Sequence, residues 1–155
     1  MASRRKGRIL AFQALYCWES SRSPTEELMD FSWLENDKRE NLDPEMAVFS
    51  RALIAGTIEN IKAVDKMIRS HLQNWDFSRL GRVDLAVLRI SVYTLMFQRD
   101  MSPSIVINEA IGIAKEFGTD DSFRFINGVL DAIRKTLQSP QAAEPAAQKP
   151  CASPN

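Results

Sequence analysis

The chain has 155 residues, enough for one domain with a hydrophobic core, and 45% of them are hydrophobic while 26% are charged. Lysine plus arginine balance aspartate plus glutamate at 20 each, so the formal net charge is zero. A neutral total argues against a general nucleic-acid-binding protein. The charge is uneven, however, because residues 1–10 carry four positive charges and no acid, whereas residues 25–45 carry eight acids and two bases. A local basic segment is therefore compatible with RNA binding.

Cysteine content and hydropathy exclude several classes of protein. Cys17 and Cys151 cannot form a metal site by themselves, and the sequence has neither a CxxC pair nor a histidine cluster. The glycines form no phosphate-binding loop, and no catalytic set of residues is present. The N-terminus has no apolar run, and the longest nearly apolar stretch, 83–97, is too short to span a bilayer. We therefore expect a cytoplasmic protein without enzymatic activity, cofactor or metal.

Three helices are predicted in the first half of the chain: 4–21, about 24–36 and about 44–73. The third should begin sharply, because Asp43 can cap it, Pro44 suits the first helical position and Glu45 favours the positive end of a helix. Its apolar residues recur at helical spacing as far as Ile68. The polar segment 37–43 before it is predicted to be a loop.

Three further helices are predicted in the second half, after a short segment at 75–77 and a break at Gly81: 82–98, 102–118 and about 119–138. The helix 82–98 is apolar nearly all round, which favours a buried position. Gly118 suits the end of one helix, and Thr119 with the two following aspartates suits the start of the next. Helices joined by short connections predict an all-α fold of about seven helices, in two small subdomains packed as one unit. The first three helices would form one subdomain, and the helices from residue 82 onward would form the other.

The C-terminal segment differs in composition from the rest of the chain. It holds four of the seven prolines among alanine, glutamine and serine. Such a segment buries too little apolar surface to offset the entropy lost on ordering. We therefore predict a helical domain over 1–138 and a disordered tail over 139–155, and we favour a tail that is solvated and has no function of its own.

Three sequence motifs, in the same order, resemble those of one protein family: 4–16, 82–93 and 107–131. Helical periodicity explains the apolar residues of the last motif but requires neither Asn108 nor Glu109. Gly128 also needs a reason, since glycine in a helix interior costs about 1 kcal/mol relative to alanine. Together the motifs resemble the bacterial N-utilisation substance B (NusB) family of transcription antitermination factors. Thr94, where that family often has an acidic residue, and the segment after Ser139 depart from the family pattern.

The resemblance implies a bacterial, non-catalytic RNA-binding protein. Members of the family are expected to bind boxA, a short single-stranded element of ribosomal RNA operon transcripts. They do so with the small-subunit ribosomal protein NusE, as part of an RNA polymerase antitermination complex. Some members look able to self-associate, so a homodimer is a further possibility.

Candidate RNA-binding residues combine positive charge, an amide and aromatic rings, which hold phosphates, recognise base edges and stack on bases. From the helix faces and the resemblance together, the candidates are Arg4, Arg5, Lys6, Arg8, Gln13, Tyr16, Arg89, Lys115, Asp121, Arg124 and Phe125. Lys6, Gln13 and Tyr16 share one helix face. On the residues alone a tyrosine at position 16 is more typical of the edge of the core, and the resemblance favours RNA. Phe123 and Phe125 are two residues apart, so both cannot enter one core, and we expect Phe125 to be exposed.

Several of these candidates also have a structural interpretation. The basic run 4–8 is, on the residues alone, more typical of a solvated helix terminus, and the resemblance favours RNA. Arg82 and Arg89 lie on one side of their helix, where an arginine must find an anion, because an unpaired buried charge costs several kcal/mol. A salt bridge within the chain, for example to Glu109 or Asp121, is the structural alternative to an RNA phosphate. The acids before the last helix are also typical helix-capping residues.

The opposite side of the helix 82–98 is predicted to bind the protein partner. Its polar residues fall within a strip about 80° wide: Asp84, Ser91, Thr94 and Gln98. The acidic residue in this strip suits a basic ribosomal protein.

Two other functions share many of these features. One is a helical protein-interaction module whose basic run is incidental. The other is the RNA-binding domain of a ribosomal RNA methyltransferase without its enzyme part, since that module resembles the same fold. RNA binding with a steep salt dependence would exclude the first of these alternatives.

Overall fold

The computed structural model describes residues 2–72 and 76–138, and these residues form helices and no strand. The helices are α1 (Ala2–Ser21), α2 (Thr25–Met29), α3 (Asn36–Glu40), α4 (Pro44–Glu59), α5 (Ile61–Arg69), α6 (Arg82–Phe97), α7 (Pro103–Phe117) and α8 (Ser122–Gln138). A short 3-10 turn, Phe77–Arg79, lies between α5 and α6. The all-α prediction is confirmed, whereas the predicted tail and the start of the predicted segment 75–77 lie outside the described residues.

The long third helix predicted from the sequence is two helices, α4 and α5. The start of α4 is as predicted: Pro44 occupies its first turn, and the Asp43 carboxylate accepts a hydrogen bond of 3.0 Å from the Met46 N–H. Its end is at Asn60, whose backbone leaves the helical region at φ −112° and ψ 23°. The Asn60 side chain donates to the Gly56 carbonyl, so it ends α4 by binding one of its last acceptors.

The predicted second helix is also too long, because the chain turns at Phe31. This residue has a φ of 59°, and its side chain is buried. Arg51 from α4 donates to the Met29 carbonyl and places its guanidinium 5.1 Å from the Phe31 ring. Burial of the ring against α4 therefore stops α2 early, and α3 forms within the segment predicted to be a loop.

The central helix α6 is buried along most of its length, as its apolar sequence predicts. It packs against α1, α4, α5, α7 and α8, while α1 packs against both α4 and α6. The buried apolar residues consequently form one core that joins the N-terminal and C-terminal helices. None of the helices in the described ranges is long and apolar enough to cross a membrane.

Candidate nucleic-acid interface

Three adjoining cavities form one groove, which we call the α1–α8 groove. The first, of about 450 Å³, is lined by Gln13, Tyr16 and Trp33, and the last, of about 610 Å³, is lined by Arg124 and Phe125. A middle cavity of about 300 Å³ lies between them. Tyr16 lines both this cavity and the first one. The start of α6 and the segment before α8 line both this cavity and the last one. The groove therefore connects the first helix to the last across the start of α6.

Aromatic rings form the floor and wall of the groove near α1. The Phe12 and Phe117 ring centroids are 5.1 Å apart, which fixes α1 against the end of α7. Tyr16 is 39% exposed, and the guanidinium of Arg82 lies 5.8 Å from its ring centroid. Arg82 also donates a 3.3 Å hydrogen bond to the Ser20 hydroxyl. An accessible phenol ring beside an exposed guanidinium is suited to stacking on a base and holding its phosphate.

The other end of the groove contains the predicted residues at the start of α8. The Arg124 guanidinium lies 3.5 Å from an Asp121 carboxylate oxygen. Both side chains are largely exposed, so this ion pair is weak. Phe123 and Phe125 are both half-buried, and both pack against the core. The prediction that only one of the two rings would contact the core is therefore wrong. Phe125 thus packs against the core and also lines the last cavity of the groove.

Lys115 lies beside the groove residues of α8 rather than within the groove. Its ammonium is 4.9 Å from the Phe123 ring centroid, and the Arg124 guanidinium is 5.0 Å from the same ring. Phe123 therefore holds two cations close together on the exposed side of α7 and α8. The lysine remains exposed in this arrangement.

The predicted basic segment does not form one continuous patch. Lys6 is exposed, and Arg4 lies 5.0 Å from the Phe49 ring centroid. Arg5 is partly exposed and forms a 2.6 Å salt bridge with Glu109 of α7. Arg4 thus lies against α4, Arg5 is paired with α7 and Lys6 faces solvent, because successive residues of α1 lie on different faces.

Arg8 is buried, so its prediction as a direct RNA contact is wrong. Its guanidinium lies 5.4 Å from the Phe49 ring centroid and 3.9 Å from a Glu109 carboxylate oxygen. Burial lowers the pKa of Arg8, and the attraction of Glu109 only partly offsets this effect. Arg8 thus joins α1 to α4 and α7 within the fold.

The prediction that Arg89 contacts RNA is also wrong. Its side chain is only 3% exposed, and its guanidinium forms hydrogen bonds to both carboxylate oxygens of Asp65, at 2.9 Å each, and to Glu19 at 2.7 Å. Burial opposes the charge, but the hydrogen bonds and charges of Asp65 and Glu19 outweigh it, so the pKa of Arg89 is raised. The structural alternative, a salt bridge within the chain, is confirmed, although its partners come from α1 and α5.

The predicted protein-binding edge of α6 is only partly accessible. Ser91 and Thr94 are buried, and the Thr94 hydroxyl donates to the Ile90 carbonyl inside the helix. Their prediction as partner contacts is wrong, because α6 is packed on nearly every side. Gln98 is half-buried at the far end of the helix, whereas Asp84 lines the same cavity as Asp121 and Phe125. The structure therefore does not separate the predicted acidic contact from the candidate RNA site.

Several residues of the groove were not predicted from the sequence. Arg79 lines the last cavity beside Arg124, and Phe117 lines the first two cavities. Phe117 could have been suspected as an aromatic residue at the end of a helix. No signal in the sequence marks Arg79, because its position depends on the turn that joins α5 to α6.

The chain matches the model of the NusB family over residues 5–135. A transcription antitermination protein NusB from Treponema denticola is 50% identical over 131 residues, which cover 84% of this chain and 95% of that protein. The structure of NusB from T. maritima matches with a TM-score of 0.76 and 35% identity, covering 91% of this chain and 96% of that one.

A crystal structure of antitermination factors NusB and NusE in complex with double-stranded RNA also matches. Its TM-score is 0.77 and its identity 27%, and the match covers 87% of this chain and 98% of that one. The family model and the Treponema relative each span most of the described domain. The chain belongs to the NusB family.

Proposed function

We propose that this protein is an RNA-binding transcription antitermination factor that binds single-stranded boxA RNA in ribosomal RNA operon transcripts. It acts without catalysis in the bacterial cytoplasm, together with the ribosomal protein NusE and an RNA polymerase complex. The observation that carries this proposal is the α1–α8 groove, in which Tyr16 and Phe125 lie at opposite ends and Arg79, Arg82 and Arg124 lie beside them.

The groove suits a single strand better than a duplex. Bases of a single strand can be splayed out and stacked on aromatic side chains, whereas bases in an A-form helix are already stacked and paired. Tyr16 and Phe125 supply two such rings, and the neighbouring guanidiniums supply charge for phosphates. The related crystal structure contains double-stranded RNA, so the two RNA forms must be compared directly.

The same groove suits a basic protein partner at its α8 end. Asp84 and Asp121 line the last cavity together with Gly81. A positively charged ribosomal protein would find complementary charge there. The related complex contains NusB, NusE and double-stranded RNA, which supports NusE and RNA as the two partners.

The proposal is tested by fluorescence anisotropy with labelled single-stranded boxA RNA, its scrambled version and a duplex of the same length, with and without NusE. We expect single-stranded boxA to bind most tightly in the presence of NusE, with a steep dependence on salt. Tyr16→Ala should lower this affinity about 5- to 100-fold, which corresponds to the 1–3 kcal/mol of one base stacked on an aromatic ring.

A matched control is Tyr93→Phe, which keeps the ring and removes a hydroxyl from the α4–α6 contact outside the groove. Equal affinity for all three RNAs, or an affinity that is independent of salt, would contradict the proposal. Preference for the duplex would retain RNA binding but overturn the single-stranded mode.

A further inference from the structure

The first cavity of the α1–α8 groove is lined by two parts of the chain, α1 and the segment that follows α2. From α1 come Phe12, Gln13, Tyr16 and Cys17, and from the segment come Trp33, Leu34, Glu35 and Lys38. This segment lies between the first and second of the three motifs that resemble the NusB family, so the resemblance assigns it no role. It nevertheless contributes a tryptophan to the cavity wall.

The Trp33 ring is held in place by the fold itself. Its Nε1–H donates a 3.0 Å hydrogen bond to the Leu28 carbonyl. The ring centroids of Trp33 and Phe31 lie 6.2 Å apart in an edge-on arrangement, and Phe31 is buried. The indole is thus anchored to the buried turn that ends α2. A ring that is already fixed loses little conformational entropy when a ligand stacks on it.

The part of Trp33 that remains available is aromatic surface. The indole N–H is the only hydrogen-bonding group of a tryptophan side chain, and here it is already bound. The side chain is half-buried, and no cation within residues 2–72 and 76–138 lies over its ring. Trp18 differs, because it is buried and the guanidiniums of Arg22 and Arg89 lie 4.0 Å and 5.5 Å from its ring centroid. Trp33 can therefore accept a flat ring of a ligand, whereas Trp18 cannot.

The groups around Trp33 favour nucleobases as that ligand. Tyr16 supplies a second accessible ring in the same cavity. The Gln13 amide, one turn before Tyr16, makes no hydrogen bond to a residue that the structure describes, so it offers a donor and an acceptor to the edge of a base. Charge does not select the ligand, because Glu35 and Lys38 carry opposite charges in the cavity wall. Two rings in one cavity match the successive bases of a single strand.

We propose that Trp33 is a second base-stacking residue at the α1 end of the RNA site. It stacks on the base of the nucleotide next to the one that Tyr16 binds, so the RNA continues past Tyr16 to the segment that follows α2. The cavity volume of about 450 Å³ suits such a ligand, since small-ligand sites commonly measure about 300–1,000 Å³. This inference rests on the proposed function, because it takes the ligand to be single-stranded RNA.

Two substitutions at position 33 test the stacking. Trp33→Phe and Trp33→Leu both remove the hydrogen bond to Leu28, but only Trp33→Leu also removes the aromatic ring. In anisotropy titrations we expect Trp33→Leu to lower boxA affinity about 5- to 100-fold, the range of one lost base–aromatic stack. Trp33→Phe should stay within about 3-fold of the wild-type protein. Both titrations are made at a temperature at which thermal unfolding shows each variant to be folded.

Cys17 reports whether RNA enters the cavity. Its half-buried thiol lines the same cavity as Trp33, and burial raises the pKa of this thiol. Alkylation proceeds through the thiolate, so iodoacetamide should modify Cys17 slowly in a Cys151→Ser background. Saturating boxA RNA should slow this modification at least about 5-fold. In Trp33→Leu, RNA at a concentration that saturates the remaining site should slow it no more than about 2-fold.

The outcomes separate this inference from the proposed function. If the wild-type protein binds boxA RNA, both position-33 variants bind it equally well and Cys17 stays reactive, the stacking site is overturned and the proposed function stands. Equal loss of RNA affinity in both variants would assign the effect to the hydrogen bond with Leu28, and the inference would be wrong. Loss of NusE affinity alone in Trp33→Leu would assign the cavity to a protein and contradict it as well. If the wild-type protein binds no RNA, the proposed function fails and the inference fails with it.

Discussion

Arg82 and Arg89 are one heptad apart on α6, but the fold gives them different surroundings. Arg82 is exposed at the start of the helix, next to Tyr16 in the α1–α8 groove. Arg89 is enclosed by Trp18, Glu19 and Asp65, and both carboxylates bind its guanidinium. The same residue type on the same helix face thus belongs in one case to the candidate binding surface and in the other to the interior.

The difference between these two regions arises from the helices that cover them. Around Arg89, α1 and α5 each supply an acidic residue, and the ring of Phe77 closes the site at 6.0 Å from the guanidinium. The first residues of α6 are not covered in this way and line the groove instead. A charged residue near the end of a buried helix can therefore be available to a ligand, whereas one two turns further in must be neutralised by the protein.

The largest expected effect is on folding, at Arg89. Arg89→Ala leaves the Glu19 and Asp65 carboxylates without their shared cation, and removal of one partner from a buried ion pair costs about 3–5 kcal/mol of unfolding free energy. Arg82→Ala should change this free energy by less than about 0.5 kcal/mol, as is usual at exposed sites. Urea unfolding followed by circular dichroism measures both variants. Similar stability of the two variants would show that the Arg89 cluster does not hold α1, α5 and α6 together.

Phe125 and Phe123 allow the same comparison within α8, between a residue that lines the groove and one that does not. Both rings are half-buried, so each alanine variant should lose about 1.5–2.5 kcal/mol of stability, roughly half the cost of a fully buried phenylalanine. Only Phe125 lines the groove, so only Phe125→Ala should also lower boxA affinity, by about 5- to 30-fold. Thermal unfolding and anisotropy on the same samples separate the two effects. Equal loss of RNA affinity in both variants would mean that binding follows stability rather than contact.

The smallest expected effect comes from the exposed cations of α1. Arg4→Ala combined with Lys6→Ala removes two positive charges that the fold leaves accessible. If both contact phosphates of a single strand, the slope of log affinity against log salt should become shallower by about 1.4. Lys62→Ala with Lys66→Ala removes the same charge from exposed positions of α5 and should leave the slope unchanged. An equal change in both double variants would indicate an effect of net charge alone.

The sequence was sufficient where neighbours in the chain determine the structure. The start of α4 at Asp43 and Pro44 and the buried character of α6 follow from capping and from apolar content, and both are observed. The pairing of Arg89 could not be predicted, because Glu19 and Asp65 are distant in sequence and only packing of three helices brings them together. The early end of α2 has the same origin, since it depends on burial of Phe31 against α4.

In the candidate site, too, some residues were predicted correctly from the sequence and others were not, because their exposure depends on packing. Motif resemblance selected Tyr16, Asp121, Arg124 and Phe125, and the fold places all four along one groove. Helix-face geometry alone placed Ser91 and Thr94 on an accessible edge. That prediction failed because the position of a residue around a helix does not show how many other helices cover it.

The most direct test of the account is to map where RNA and NusE contact the protein, by amide chemical shifts of the isotope-labelled protein. We predict that boxA RNA with NusE changes the amide signals of Tyr16, Gly81, Thr119 and Phe125 along the α1–α8 groove. The signals of Ala52 and Ala63, on exposed faces of α4 and α5, should stay in place. Large changes on α4 and α5 with none along the groove would contradict the assignment of the groove as the binding surface.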